Sequence, residues 1–300
     1  MVVRDFIQLR EVARKVGPTT IAIAAASDAE VVAAAREVQD QGIARCLLVG
    51  DQAAVEKAAQ VAGAGIGDME ILGVGDSRSA ARMVMELVRE GRARVAVKGK
   101  VDTPEFLRAA LDPRAGLVSG ALLTHVGVFE VPGLDRLILI SDGGVVLYPT
   151  MEQKVEIIQN AIQVAHKLGV AEPKVALLAA VSEVNPNLPV TVEAAGLARM
   201  EKRWRSQGAV VDGPITLDAA MSLSVAKLEG LESPVAGAAD VLITPDVEAG
   251  NIMAKGVTYF AKGRMAGIVT GARVPLVVGS RADPHETRVV SIALGVVLAA

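Results

Sequence analysis

Short apolar runs rich in Val, Ile and Ala alternate with longer amphipathic segments along the whole chain. The runs 20–26 (TIAIAAA), 45–50 (RCLLVG), 94–98 (RVAVK), 136–140 (RLILI), 174–180 (KVALLAA), 209–211, 241–244 and 275–279 (PLVVG) each read as a buried strand. Asp28 suits a helix cap, and residues 29–41 carry helical spacing up to Gly42. Residues 79–90 do the same and stop at Gly91. Near-continuous apolar strands separated by helices predict a mostly parallel sheet covered on both faces, hence the α/β class. The longest apolar tract is 289–300, relieved only by Ser291 and Gly295. It is well short of the ~20 residues of a spanning helix, so a buried C-terminal helix is expected and no membrane contact.

Composition narrows the function. Of 300 residues, 51% are hydrophobic and only 2% aromatic, and 31 Lys+Arg against 34 Asp+Glu give a net charge of -3. That apolar fraction with so small a charge excludes disorder. Without a basic excess, and with one Trp and two Tyr for stacking, nucleic acid is not an expected partner. Cys46 stands alone, which excludes a disulfide framework, and His125, His166 and His285 do not fill a zinc site by themselves. Arg4, Asp5 and Arg10 break the N-terminal segment, so no secretion signal is read and the cytoplasm is the expected compartment. The length suits one large or two medium domains. No repeat or linker divides the chain, and Pro132-Gly133 is the best turn signal near its middle.

In parallel sheets, ligands bind where loops leave the carboxyl ends of the strands. Those segments here are Lys98-Gly99-Lys100, Ser141-Asp142-Gly143-Gly144, Asp212-Gly213-Pro214, Pro245 to Asn251 and Ser280-Arg281-Ala282-Asp283. Each puts polar residues beside Gly, which lets backbone approach a ligand closely, and Lys98 and Arg281 add cations. Together they describe an anion site, with phosphate the indicated anion. Each piece also has a plain structural reading. A Gly-rich turn is usually only a turn, Ser141-Asp142-Gly143 suits a helix cap, and Asp212-Gly213-Pro214 suits a turn. His125 suits a cap or a polar spot in the core, His166 lies mid-helix, and Cys46 lies inside a strand where a thiol is inert. No His-x-x-x-His or Glu-x-x-His occurs, so no metal is expected. Gly73-x-Gly75 lacks the third glycine of a nicotinamide loop, and neither a Walker loop nor a Gly-x-Ser-x-Gly elbow is present.

The motif set resembles the phosphate acetyltransferase/butyryltransferase family, most closely its butyryltransferase branch. The residues that carry the resemblance are Lys98-Gly99, 116–125 (GLVSGALLTH), Tyr148-Pro149-Thr150, 153–169, Asn185-Pro186, 211–214 (VDGP), 236–240 (AGAAD), 245–251 and 280–287 (SRADPHET). Their order and spacing run from about residue 20 to the C-terminus. The resemblance implies two mostly parallel α/β domains with an interdomain cleft, like isocitrate and isopropylmalate dehydrogenases. Residues 1–131 plus 276–300 would form one domain and 132–275 the other. It implies a homodimer or larger homo-oligomer. It also implies reversible transfer of an acyl group, butyryl or another short chain, from CoA to phosphate. CoA is then a substrate, and no cofactor is called for. By the same resemblance Ser280 and Arg281 are catalytic, with Arg281 on phosphate and Ser280 on the reacting centre, and Asp283 or Glu286 is the base. Lys98, Gly120, Thr124, Ser141, Asp142, Gly143 and Asn251 are implied substrate-binding residues.

Two positions depart from the family. The acetyltransferase branch has an aspartate seven residues after its serine, where this chain has Thr287. The butyryltransferase branch has an arginine where this chain has Val118, and Arg114 is the nearby cation that could replace it. The alternatives are a phosphate acetyltransferase or a non-catalytic member that binds CoA or an acyl phosphate. A metal-dependent hydroxyacid dehydrogenase on the related fold would need carboxylates around Mg²⁺ and a nicotinamide loop, and neither signature is present.

Overall fold

The computed structural model describes residues 1–118, 121–280 and 282–300. The chain divides into two compact units, Phe6–Ala121 with Met265–Ala300, and Met1–Asp5 with Leu122–Arg264. The first unit opens with α1 (Phe6–Val16), β1 (Thr19–Ala24), α2 (Ala29–Asp40), β2 (Ala44–Gly50), α3 (Gln52–Ala62), β3 (Glu70–Gly73), α4 (Ser77–Arg89), β4 (Val95–Lys98) and α5 (Thr103–Leu111). Next come β5 (Thr124–Glu130), β6 (Ile138–Ser141), α6 (Met151–Lys167), β7 (Lys174–Leu178), α7 (Pro189–Ala198), α8 (Glu201–Ser206), β8 (Val210–Ile215), α9 (Leu217–Met221), α10 (Leu223–Leu228), β9 (Val241–Ile243) and α11 (Val247–Tyr259) in the second unit. The chain then adds β10 (Arg264–Thr270), β11 (Leu276–Val277) and α12 (His285–Ala299) to the first.

In the first unit the strands lie in the order β3-β2-β1-β4-β11-β10. All neighbours are parallel except β10, which joins β11 antiparallel. In the second unit the order is β5-β6-β9-β7-β8, parallel but for β5. The mostly parallel α/β class is therefore observed. The inner strands β1, β4, β6 and β9 are almost wholly buried, which is why they read as unbroken apolar runs.

Aspartates start the helices that follow strands. Asp28, Asp51, Asp76 and Asp246 accept backbone N–H groups of Val31, Ala54, Ser79 and Ala249 at 2.8–3.2 Å, filling donors a helix start leaves open. Helix α12 is apolar nearly all round because α1, α2, β4 and β11 pack on it. No helix among the described residues is long and apolar enough to cross a membrane.

The structure differs from the pattern reading at three strands. β3 is a short edge strand with no buried residue, while β5 and β10 each carry a glycine inside the run. The expected turn Asp212-Gly213-Pro214 lies within β8, where the register against β7 shifts. A proline is tolerated there because β8 is the edge strand of its unit. Against the expected division at 131/132 and 275/276, residues 122–131 group with the second unit and 265–275 with the first.

Candidate functional site

In the first unit the parallel strands deliver their loops to one edge. Asp28 follows β1, Ser77 follows β3, Lys98 ends β4 with Gly99 to Asp102 after it, and Gly279, Ser280, Ala282 and Asp283 follow β11. A pocket of about 300 Å³ at that edge is walled by Asp28, Ser77, Lys98, Lys100, Asp102 and Arg288. Among these described residues the cations outnumber the carboxylates, and Asp28 already serves as the cap of α2. Lys98 is only 5% exposed, and its Nζ donates to the carbonyls of Val101 (3.2 Å) and Gly99 (3.5 Å). A Cβ at position 99 would stand 2.4 Å from the Ala24 carbonyl oxygen and 2.7 Å from that of Ala25. Glycine is therefore required for β4 to leave the sheet tight against β1, which fixes the lysine at the pocket wall.

The loop after β11 is held at Ser280. Its N–H donates to Asp283 Oδ2 at 2.6 Å, and its carbonyl accepts from Arg288 Nη2 at 3.3 Å and from the Asp283 N–H at 3.2 Å. The Ser280 hydroxyl accepts the Ala282 N–H at 3.3 Å, and the residue is exposed. Its backbone is thus clamped, and among the described residues no acceptor takes its O–H proton. Arg281, expected on phosphate, lies outside the described residues, as does Gly120.

The two expected carboxylates part company. Asp283 braces the Ser280 turn. Glu286 bonds Arg10 at 2.5 Å, Arg10 bonds Glu37 at 3.0 Å, and Glu37 meets His285 Nε2 at 2.6 Å. This network ties the first turn of α12 to α1 and α2, and Glu286 is not among the pocket's walls. Arg114, the expected substitute at Val118, folds back on Asp112 at 2.7 and 3.1 Å. The hydrogen bonds from Arg114 hold the Asp112 carboxyl down at about 2.

In the second unit β6 and β9 are parallel neighbours, so the loops at 142–146 and 244–250 leave the same edge, and β5 begins there. Asp142 organises them. Its Oδ1 accepts from Gly144 N–H (2.7 Å) and Val145 N–H (2.9 Å), and its Oδ2 from His125 N–H (2.9 Å) and Val146 N–H (3.3 Å). The carboxylate is 3% exposed, so it holds the loop. Ser141 is fully buried and its hydroxyl donates to the His125 carbonyl at 2.8 Å. Thr124 is fully buried too, and its hydroxyl accepts the amide of Asn160 on α6 at 3.0 Å. Burial thus keeps both of these expected ligand residues inside the fold, Ser141 donating and Thr124 accepting. Asn251 donates to the Gly143 carbonyl at 3.1 Å. A Cβ at Gly250 would come within 2.3 Å of the Asp142 carbonyl oxygen, so glycine there lets α11 touch this loop. The Tyr148 hydroxyl donates to Glu248 at the same edge, and that bond raises its pKa.

Two other side chains behave as expected. The His166 ring nitrogens face the carbonyls of Val170 (2.9 Å) and Gln207 (2.7 Å). Burial pushes the Cys46 thiol up to about 12. Arg288 belongs to none of the motifs in the sequence, yet it stands in the pocket wall. Its one mark in the sequence is position, as the last charged side chain before twelve uncharged residues, 289–300.

A family profile described as Phosphate acetyl/butaryl transferase matches residues 76–296. The chain is 40% identical to the phosphate butyryltransferase of Clostridium acetobutylicum over 279 residues, 93% of either chain. It is 38% identical to the phosphate acetyltransferase of Thermotoga maritima over 292 residues, 97% of this chain and 99% of that one. Among solved structures, a branched-chain phosphotransacylase from Enterococcus faecalis matches with a TM-score of 0.84 at 27% identity, spanning 94% of this chain and 99% of the other.

Proposed function

The chain belongs to the phosphate acetyl/butyryl transferase family, and from that premise we propose that it passes a butyryl or similar short acyl group directly between CoA and phosphate, both bound at once. It is a phosphate acyltransferase acting on short-chain acyl groups. A phosphate oxygen attacks the thioester carbonyl carbon; the C–O bond forms, the C–S bond breaks, and the sulfur leaves with the electron pair and takes up a proton. In reverse, the CoA thiol loses its proton and its sulfur attacks the carbonyl of the acyl phosphate, releasing phosphate.

The observation that carries this reading is the pocket where Lys98, Lys100 and Arg288 converge beside the loop bearing Ser280. A phosphoryl group with nearly two negative charges needs fixed cations and donors, and this wall supplies them. We assign Ser280 the role of hydrogen-bonding the reacting carbonyl, and Arg281 that of holding phosphate and the developing oxyanion. Asp283 lies nearer this loop's chemistry than Glu286, whose carboxylate is engaged by Arg10. A CoA thiol of ordinary pKa ~8.5 is mostly protonated at neutral pH, so a nearby carboxylate helps to take its proton. Direct transfer fits a chain whose single thiol is buried.

We place the reaction in the cytoplasm, where a lone thiol stays reduced, and in a homo-oligomer. The test is CoA release from butyryl-CoA and from acetyl-CoA, each with and without phosphate. Phosphate-dependent release, faster with butyryl-CoA, is expected. Binding of CoA without release would identify a non-catalytic member, and faster release from acetyl-CoA an acetyltransferase.

A further inference from the structure

A second, apolar pocket shares three wall residues, Val31, Lys98 and Arg288, with the charged one. Ile23 of β1, Ala34 of α2, Val277 of β11 and Ile292 of α12 make up much of the rest. All four are at most 3% exposed. Ser291 also lines it, but its hydroxyl donates to the Thr287 carbonyl at 2.6 Å and accepts the Gly267 N–H at 2.9 Å. A ligand there meets hydrocarbon, with the two cations at the shared wall. Gly279 belongs to this wall too, so the pocket lies one residue from Ser280.

The room inside is about 20 Å³. One water-sized probe occupies roughly 10–15 Å³ on that scale. The pocket therefore admits about one further small group, such as the last carbon of a short chain, and a longer chain must push the packed walls apart. An acyl phosphate has this shape of chemistry: a charged head and a short apolar tail.

We infer that this pocket seats the end of the acyl chain, and that Ala34 and Ile292 set the chain length the enzyme accepts. The inference rests on the acyl-transfer reading above. Lys98 and Arg288, common to both pockets, hold the phosphoryl group at the junction between head and tail. A single methylene in an apolar pocket discriminates by roughly 10- to 200-fold in catalytic efficiency, so small changes in these walls have a readable effect.

The test measures kcat/KM for acetyl-, butyryl- and hexanoyl-CoA at saturating phosphate in the wild type, Ala34→Val and Ile292→Val. Ratios between chain lengths within one variant cancel any loss of folded protein. Ala34→Val fills the pocket and is expected to move the acetyl-to-butyryl ratio toward acetyl by roughly 10-fold. Ile292→Val enlarges it and is expected to move the hexanoyl-to-butyryl ratio toward hexanoyl. If both variants melt cooperatively and both ratios stay within about twofold of wild type, well under the one-methylene effect, the pocket is a packing void only and the inference is overturned. If the wild type releases CoA from none of the three, the acyl-transfer reading fails first and takes the inference with it, a result distinct from unchanged ratios.

Discussion

The carboxylate of Asp283 accepts the backbone N–H of Ser280 at 2.6 Å, so one residue closes the turn that presents the other. A proton-accepting role and a bracing role therefore fall on the same side chain, and substitution separates them. Asparagine keeps an acceptor oxygen and removes the charge. Asp283→Asn is expected to melt close to wild type but to slow acyl transfer to CoA at neutral pH. The deficit should shrink as pH approaches ~8.5, where the thiol ionises unaided. Asp283→Ala should be slow at every pH, because the turn itself is lost. An Asn variant as fast as wild type at pH 7 would leave Asp283 as a brace alone.

The Ser280-Arg281 pair makes a second expectation. Arg281→Ala should lose roughly 100-fold or more in kcat/KM, the scale of one lost oxyanion donor. Arg281→Lys should recover only part, because an ammonium does not reproduce a two-pronged guanidinium. The measurement is steady-state kinetics with phosphate varied. Near-wild-type values for Arg281→Ala would shift phosphate binding to Lys98 and Arg288.

Glu37 links stability to pH. Burial pushes its carboxyl up, but the hydrogen bond to His285 and the charge of Arg10 outweigh that and leave it below the ordinary carboxylate range. A depressed native pKa contributes stability above the unfolded value near ~4.3, and that contribution is lost as pH falls through the native value. Glu37→Gln should therefore melt lower than wild type at pH 7, and the gap should close as the pH is taken below about 4. Melting curves of both proteins between neutral and acid pH read this directly. A gap that stays constant would assign the loss to packing.

Cys46 should be silent. With its thiol at about 12 through burial and its Sγ turned to the Ala35 carbonyl at 3.4 Å, it should resist thiol reagents until the protein unfolds. Cys46→Ala should keep most of its turnover. An acyl group trapped on Cys46, seen by mass spectrometry, would replace direct transfer with a covalent mechanism.

What could be read beforehand followed from burial. Strands β1 and β4 are covered on both faces, so their apolar runs announce them, and parallel strands send Asp28 and Lys98 to one edge. The edge strand β3 and the antiparallel β5 and β10 gave weaker patterns, because half-exposed or glycine-interrupted strands lack a continuous run. Polar side chains were harder still. Ser141 and Thr124 look like ligand donors in the sequence, yet both are buried inside the fold, where Ser141 donates to a carbonyl 16 residues away and Thr124 accepts from an amide 36 residues away. Arg288 reaches the pocket because α12 packs beside β4, which is a tertiary fact that local spacing does not encode.

Asp142 supplies the last expectation. Its two oxygens face four backbone N–H groups, two on each, in a site where the residue is 3% exposed. A carboxylate has acceptor sites for all four. An amide of the same shape has one acceptor oxygen, and its NH₂ must turn two donors toward two other donors. Asp142→Asn therefore does more than remove a charge: it takes the acceptor from two of these N–H groups, the Gly144 and Val145 pair or the His125 and Val146 pair, which loosens the loop. An unsatisfied buried group costs roughly 1–3 kcal/mol and a part-exposed one less, so the variant should lose on the order of 1 kcal/mol or more in denaturant unfolding. Ser141→Ala removes one hydroxyl donor from a carbonyl and should lose about 1 kcal/mol. If Asp142 contacted substrate while the loop held itself, Asp142→Asn would unfold like wild type and its defect would appear only in kinetics. A measurable loss of stability, with the remaining folded fraction binding CoA normally, is the outcome the four hydrogen bonds require.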